Sequence, residues 1–159
     1  MQSNVVRPGE GRAVWAAGDR YTIKTGGQDS GGAFALFEAL IPPQSGPPPH
    51  RHSREDEAFY VLAGELEFHV DGRRIVAGTG SWLTLAKGSL HHFKNIGESP
   101  ALLLILVVPA GLDEFFLEVG REGDPRSPDT LVPVEPEDLE KMLAVAPKYG
   151  IEIVLPKIK

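Results

Sequence analysis

Four side chains in two short stretches have the types and spacing to bind a metal. His50 and His52 follow the proline-rich run Gly46-Pro-Pro-Pro49, Glu57 comes five residues later, and His91 lies in Gly88-Ser-Leu-His91-His-Phe-Lys-Asn95. In an extended chain residues i and i+2 share a face, so His50 and His52 can aim at one point from a single strand. Three imidazoles and one carboxylate suit a divalent first-row ion. Fe, Mn, Ni, Co, Cu and Zn all accept these donors, and affinity order alone does not choose among them. The chain contains no cysteine, so any metal takes nitrogen and oxygen ligands and no disulfide forms. Such a donor set leaves positions open on an octahedral ion for water, a bidentate oxygen ligand or O₂. The ion can then act as a Lewis acid or orient two reactants.

Short strands between Gly and Pro turns position these residues. The first ~110 residues show the pattern of an all-β sandwich or barrel. Strands are expected at Ala13 to Ala17, Tyr21 to Thr25, Ala33 to Ile41, Ala58 to Ala63 and Glu65 to Asp71. Further strands are expected at Arg74 to Ala77, Ser81 to Leu85, His91 to Asn95 and Leu102 to Val108. The prolines from Pro42 to Pro49 force an extended loop into His50. Leu66, Phe68 and Val70 alternate with Glu67, His69 and Asp71, which puts His69 on the polar face. The parity that turns Glu57 inward also turns in Phe59 and Val61, and His91 carries Phe93 and Asn95 with it. Phe59, Val61 and Phe93 are therefore the expected lining of a substrate pocket. His92 has the opposite parity and is expected to point away. Leu102 to Val108 shows no alternation, the pattern of a strand covered on both faces.

After residue 110 the pattern changes. Leu112, Phe115, Phe116 and Val119 follow helical spacing up to Gly120. Arg121 to Val134 reads as a surface loop. Pro136 suits a first helical turn, and Leu139, Met142, Leu143 and Ala146 continue the second helix. Ile151 to Leu155 reads as a final short strand. The expectation is a barrel over residues 1–110 and a helical extension over 111–159, packed on its outside as part of the same domain.

A chain of 159 residues with 42% hydrophobic residues can bury one real core. The net charge of -6, with no basic block to offset it, argues against nucleic acid or an anionic membrane as partner. The longest apolar run, Ala101 to Ala110, is far short of a membrane span. No apolar run follows a basic start at the N-terminus, so no secretory signal is expected and the cytoplasm is the expected location.

The two histidine stretches resemble the paired motifs of the cupin superfamily. The first runs His50-x-His52, four residues, Glu57, six residues, Gly64; the second runs Gly80, five residues, Ala86-x-Gly88, two residues, His91, three residues, Asn95. The three-residue spacer after Gly46 is shorter than the usual five, and Ala86 stands where proline is usual. The resemblance covers about residues 30 to 110. It implies a double-stranded β-helix, or jelly-roll barrel, with the two short C-terminal helices added. It also implies His50, His52, Glu57 and His91 as metal ligands. Glu55 is a rival carboxylate, but only Glu57 keeps the six-residue interval to Gly64. Asn95 reads as a hydrogen bonder at a turn or strand end.

Within the superfamily the layout is similar to small single-domain proteins called quercetin 2,3-dioxygenase-like. The similarity runs through Glu57 to Phe68, His91 to Asn95, and the tail from Leu112 through Lys148-Tyr-Gly-Ile-Glu-Ile153. It implies a divalent transition metal that chelates a small enol or flavonol-like substrate. O₂ would be the second substrate, and Glu57 would double as ligand and general base. Fold-level analogy does not fix function. Two other readings therefore stand beside it: a redox-neutral isomerase, decarboxylase or lyase, and a module that binds a small molecule without turnover. The apolar strand Leu102 to Val108 also points to a homodimer, unless the C-terminal helices alone cover it.

Overall fold

The computed structural model describes residues 1–127 and 132–156. Part of the Arg121–Val134 loop lies outside the described residues. The elements in chain order begin with β1 (Arg12–Ala16), β2 (Asp19–Thr25), α1 (Gly27–Ser30), β3 (Ala35–Ile41), β4 (His50–His52) and β5 (Asp56–Ala63). Next come β6 (Glu65–Val70), β7 (Arg73–Gly78), β8 (Trp82–Leu85), β9 (His91–Asn95) and β10 (Ala101–Val108). The tail adds α2 (Leu112–Val119), β11 (Arg121–Gly123), α3 (Pro136–Val145), a 3₁₀ turn (Ala146–Tyr149) and β12 (Ile151–Ile153).

These strands form two antiparallel sheets. One has the order β11-β1-β2-β3-β10-β5-β8, the other β12-β4-β9-β6-β7. Sequence neighbours are repeatedly split across the two sheets, as in a double-stranded β-helix. The fold class is all-β with two short C-terminal helices, as the motifs imply. The core lies between the sheets, where the inward parity of each strand places its apolar residues. Leu66, Phe68 and Val70 are buried, whereas Glu65 is exposed. Phe59, Phe68 and Phe93 meet edge-on or tilted with centroids 5.4 to 5.9 Å apart. Such contacts add ~0.5–1.5 kcal/mol each beyond the burial itself.

Three expectations change. The tail is not merely a helical cover, because β11 pairs with β1 and β12 pairs with β4. It thus adds an edge strand to both sheets. The short helix α1 carries no apolar periodicity that could have announced it. The largest difference concerns β10. Ala101, Leu103, Ile105 and Val107 are buried, but Leu102, Leu104 and Leu106 are only half-buried and Val108 is exposed. The C-terminal helices do not cover this outer face. Helix α2 packs toward β1 instead, with α3 against α2, and Gly120 at the end of α2 is so close that a Cβ there would sit 2.7 Å from Val14.

The loop into β4 is held by backbone pairing with β9. Gln44 N–H donates to the Asn95 carbonyl at 3.0 Å, and Asn95 N–H donates to Ser45 O at 2.9 Å. Gly46 is required at this crossing, since a Cβ would fall 1.8 Å from the Phe93 carbonyl oxygen. The fully buried Asn95 amide donates to Ile41 O at 2.9 Å and to Ser99 O at 2.8 Å. It is a structural hydrogen bonder at the end of β9.

Candidate metal centre

The centre is assembled from both sheets. His50 and His52 lie on β4, His91 sits opposite His50 in the β4–β9 register, and Glu57 enters from β5 in the other sheet. One donor atom from each of the four side chains falls within 4.8 Å of every other. Two ligands bonded at about 2.1 Å to one ion can stand no more than ~4.2 Å apart. The group could hold a metal ion after a small contraction. Glu57 Oε2 lies 2.7 Å from His91 Nε2 and 3.4 Å from His52 Nε2.

Two of the imidazoles, His50 and His91, are aimed by their other nitrogen. His50 Nδ1 pairs with Pro48 O at 2.8 Å, and His91 Nδ1 pairs with Ser89 O at 3.1 Å. His52 Nδ1 faces Glu55 Oε2 at the longer distance of 3.4 Å. A donor bond at Nδ1 fixes the tautomer that leaves the Nε2 lone pair free for a metal. The Nε2 atom of His52 is buried without a hydrogen-bond partner, whereas His91 Nε2 faces Glu57 Oε2 at 2.7 Å. A buried polar atom in that state costs ~1–3 kcal/mol, which a cation at the centre would relieve.

Electrostatics prepares the same state. Burial pushes the Glu57 carboxyl up, but His52 and then His91 outweigh it and hold the group at about 2. Burial lowers His50 to about 3, with repulsion from His91 and His52 adding to it. Burial also opposes charge on His52, but Glu57 and Glu55 outweigh it and raise that imidazole. Near neutral pH the site therefore offers an ionised carboxylate and a neutral His50, the forms that ligate metals.

The donors face a cavity. Phe59 and Phe93 line it beside the four donors, joined by Tyr21, Ile105, Leu112, Phe115, Phe116, Met142, Ile151 and Ile153, with Ala16, Ala17, Pro47 and Pro48 completing the wall. Val61, on the same face of β5 as Phe59, is not in this lining; it is fully buried in the core. Among the described residues no lysine or arginine lines the space. It leaves about 60 Å³ for the centres of water-sized molecules. One water needs roughly 10–15 Å³ by that measure, so a few waters or one compact molecule fit.

The other histidines take no part. His69 and His92 stack on each other outside the centre, with centroids 4.7 Å apart and planes 5° from parallel, and His69 Nε2 pairs with Glu67 at 2.7 Å. Glu55 is not one of the four grouped donors but sits directly behind His52. Sequence reasoning passed over Tyr21 and Asp19. Their signal was the inward parity of β2, masked because an aspartate after Gly18 looks like a solvated turn residue.

Residues 37–108 match the Cupin domain family. The oxalate-binding protein of Thermotoga maritima is 30% identical over 74 residues, which is 46% of this chain and 61% of that protein. The matched stretches span between 28% and 61% of the curated relatives' own lengths. KdgF from Halomonas sp. superposes with a TM-score of 0.63 at 18% identity, over 72% of this chain and 99% of that one. A structure from Thermotoga maritima described as a predicted oxalate decarboxylase superposes with a TM-score of 0.62 at 22% identity, over 67% of this chain and 99% of that one. At such identities the structural likenesses speak for the fold alone. Among the described residues no helix is long and apolar enough to cross a membrane. The sheet order and the spacing of the four donors accord with the Cupin domain matched over residues 37–108 of this chain.

Proposed function

We propose that this chain is a metal-dependent enzyme of dioxygenase type acting on a small enol or flavonol-like molecule. His50, His52, Glu57 and His91 hold its divalent transition ion, and Glu57 doubles as the proton acceptor. The observation that carries the reading is a convergent three-His, one-Glu group facing an apolar cavity with no lysine or arginine among its described lining residues. A bound divalent ion would supply Lewis acidity and a place for two reactants to meet. The protein's own part is to keep water out, to orient a flat apolar molecule against Phe59 and Phe93, and to take its hydroxyl proton on a Glu57 oxygen. Held at about 2, Glu57 is a weak base, so the hydroxyl it serves must be strongly acidified or Glu57 must turn away from the histidines.

The cavity favours a compact enol such as a β-diketone or catechol. A tricyclic flavonol would need α2 and α3 to open. Oxygen uptake with small diketones, catechols and a flavonol, across Fe, Mn, Ni, Co, Cu and Zn, tests the reading. Uptake with a compact enol and one metal is expected. No uptake with any pair would remove the dioxygenase assignment.

A redox-neutral isomerase or lyase is the second reading, and a module that binds a small molecule without turnover is the third, the one to which the oxalate-binding relative points. Against an anion as charged as oxalate or a sugar phosphate, the described residues that line the cavity include no lysine or arginine to pair with it. Anaerobic turnover would select the second reading, and a ligand recovered unchanged would select a binding module.

A homodimer through the outer face of the larger sheet accompanies the proposal. Tyr60, Trp82 and Leu104 are cross-strand neighbours there, and Trp82 is 57% exposed. Contiguous apolar surface of this kind marks an association site. Sedimentation should give a dimer that Trp82→Glu converts to monomer, and a wild-type monomer at every concentration would end this part.

A further inference from the structure

Among the described residues that line the cavity, Tyr21 is the one polar side chain besides the four candidate metal donors. Its ring is 3% exposed and stacks on Phe116 of α2 with centroids 4.0 Å apart, so the phenol is fixed in plane. Behind it, two residues earlier on the same face of β2, lies Asp19, which is fully buried. Asp19 Oδ1 accepts a hydrogen bond from Ser45 Oγ at 2.6 Å, while the Tyr21 hydroxyl reaches Oδ2 only at 3.4 Å. That second bond is too long to be strong, so the hydroxyl is aligned but not spent. A carboxyl buried this deeply without a cation beside it is expensive unless protonated. Burial accordingly raises Asp19 to about 7, against the opposing pull of Ser45 and Tyr21. Burial first, then Asp19 and Glu57, raise the Tyr21 hydroxyl well above its usual range, which keeps it a donor.

We propose that Tyr21 is the second polar anchor of the cavity, donating its hydroxyl hydrogen bond to an oxygen of the bound molecule, with Asp19 as the positioning residue behind it. The ligand class is a compact, uncharged, flat molecule with at least two oxygens, one directed to the His/Glu group and one to Tyr21. This rests on the ligand-binding part of the function proposed above and not on dioxygen chemistry.

The test uses 4-nitrocatechol, whose visible absorbance reports its ionisation, titrated into the full-length protein with its metal bound. Tyr21→Phe keeps the ring against Phe116 and removes one oxygen. It should weaken binding about three- to tenfold, the worth of one hydrogen bond, and raise the ionisation midpoint of the bound probe. Asp19→Asn should weaken binding by a smaller factor and add nothing to Tyr21→Phe in the double variant. Thermal melting of each variant confirms that it is folded. Unchanged affinity and ionisation in Tyr21→Phe would overturn the inference. So would losses that multiply in the double variant, because Asp19 would then act through Ser45 and the loop before His50. A wild-type protein that keeps its metal yet ignores the probe would also overturn it while leaving the metal centre standing. Loss of the metal itself would bring down both.

Discussion

The two walls of the cavity are built in opposite ways. The histidine wall is polar and local: β4 supplies two donors by simple i, i+2 parity, and β9 supplies the third directly across from His50. The facing wall is apolar and assembled from distant chain. Tyr21 comes from β2, Phe115 and Phe116 from α2 and Met142 from α3, while Ile151 and Ile153 of β12 lie beside His52 and His50 in the histidine sheet. The difference teaches that chemistry and selectivity are separable here. Donors set by short-range spacing decide what the site can do, and the tail decides what fits.

The contrast gives predictions of graded size. His52→Ala removes a donor from the polar wall and should weaken metal binding by more than the 10–100-fold seen when only a supporting group is lost. Competition with a chromophoric chelator measures it. Phe116→Ala acts on the apolar wall. Because Phe116 is half-buried, the cost should be about 2 kcal/mol, less than for a fully buried phenylalanine, with metal affinity kept and bulkier ligands admitted. Urea melts and a ligand series check both halves. If the metal is lost as well, the walls are not separable.

Glu55→Gln tests whether the polar wall extends a layer deeper. It keeps the size but removes the charge facing His52 Nδ1, and about a tenfold loss of metal affinity is expected by the same chelator competition. The last prediction concerns stability alone, through Asp19 behind the apolar wall. Its folded-state value of about 7 lies above the unfolded value of 3.8. Native protein therefore holds a proton that unfolded chain releases between these limits. The stability it contributes is present below about pH 4 and is lost as pH rises through about 7. Melting temperatures of wild type relative to Asp19→Asn should converge or cross over that window, and a constant difference would contradict the burial argument.

The sequence made the polar wall legible because its information is short-range. His50, His52, Glu57 and His91 keep their spacing whatever the rest of the fold does, and Phe59 and Phe93 follow by strand parity. His69 and His92 were placed off the site by the same rule. What could not be read depends on tertiary pairing. Helical periodicity located α2 and α3 but not which surface they would meet, so helices were expected on the outside of the barrel where they instead supply cavity wall. β12 was visible as a strand, but nothing local linked it to β4. Val61 shows the limit of parity: it fixes the inward face but not the depth at which cavity gives way to packed core.

The measurement that tests the centre most directly is metal content by elemental mass spectrometry on untagged protein, with His91→Ala alongside. The account predicts near-stoichiometric metal in wild type and little in the variant, with both chains equally folded by circular dichroism. Wild type that stays empty after incubation with Fe, Mn, Ni, Co, Cu and Zn, or a variant that retains as much metal as wild type, would contradict it.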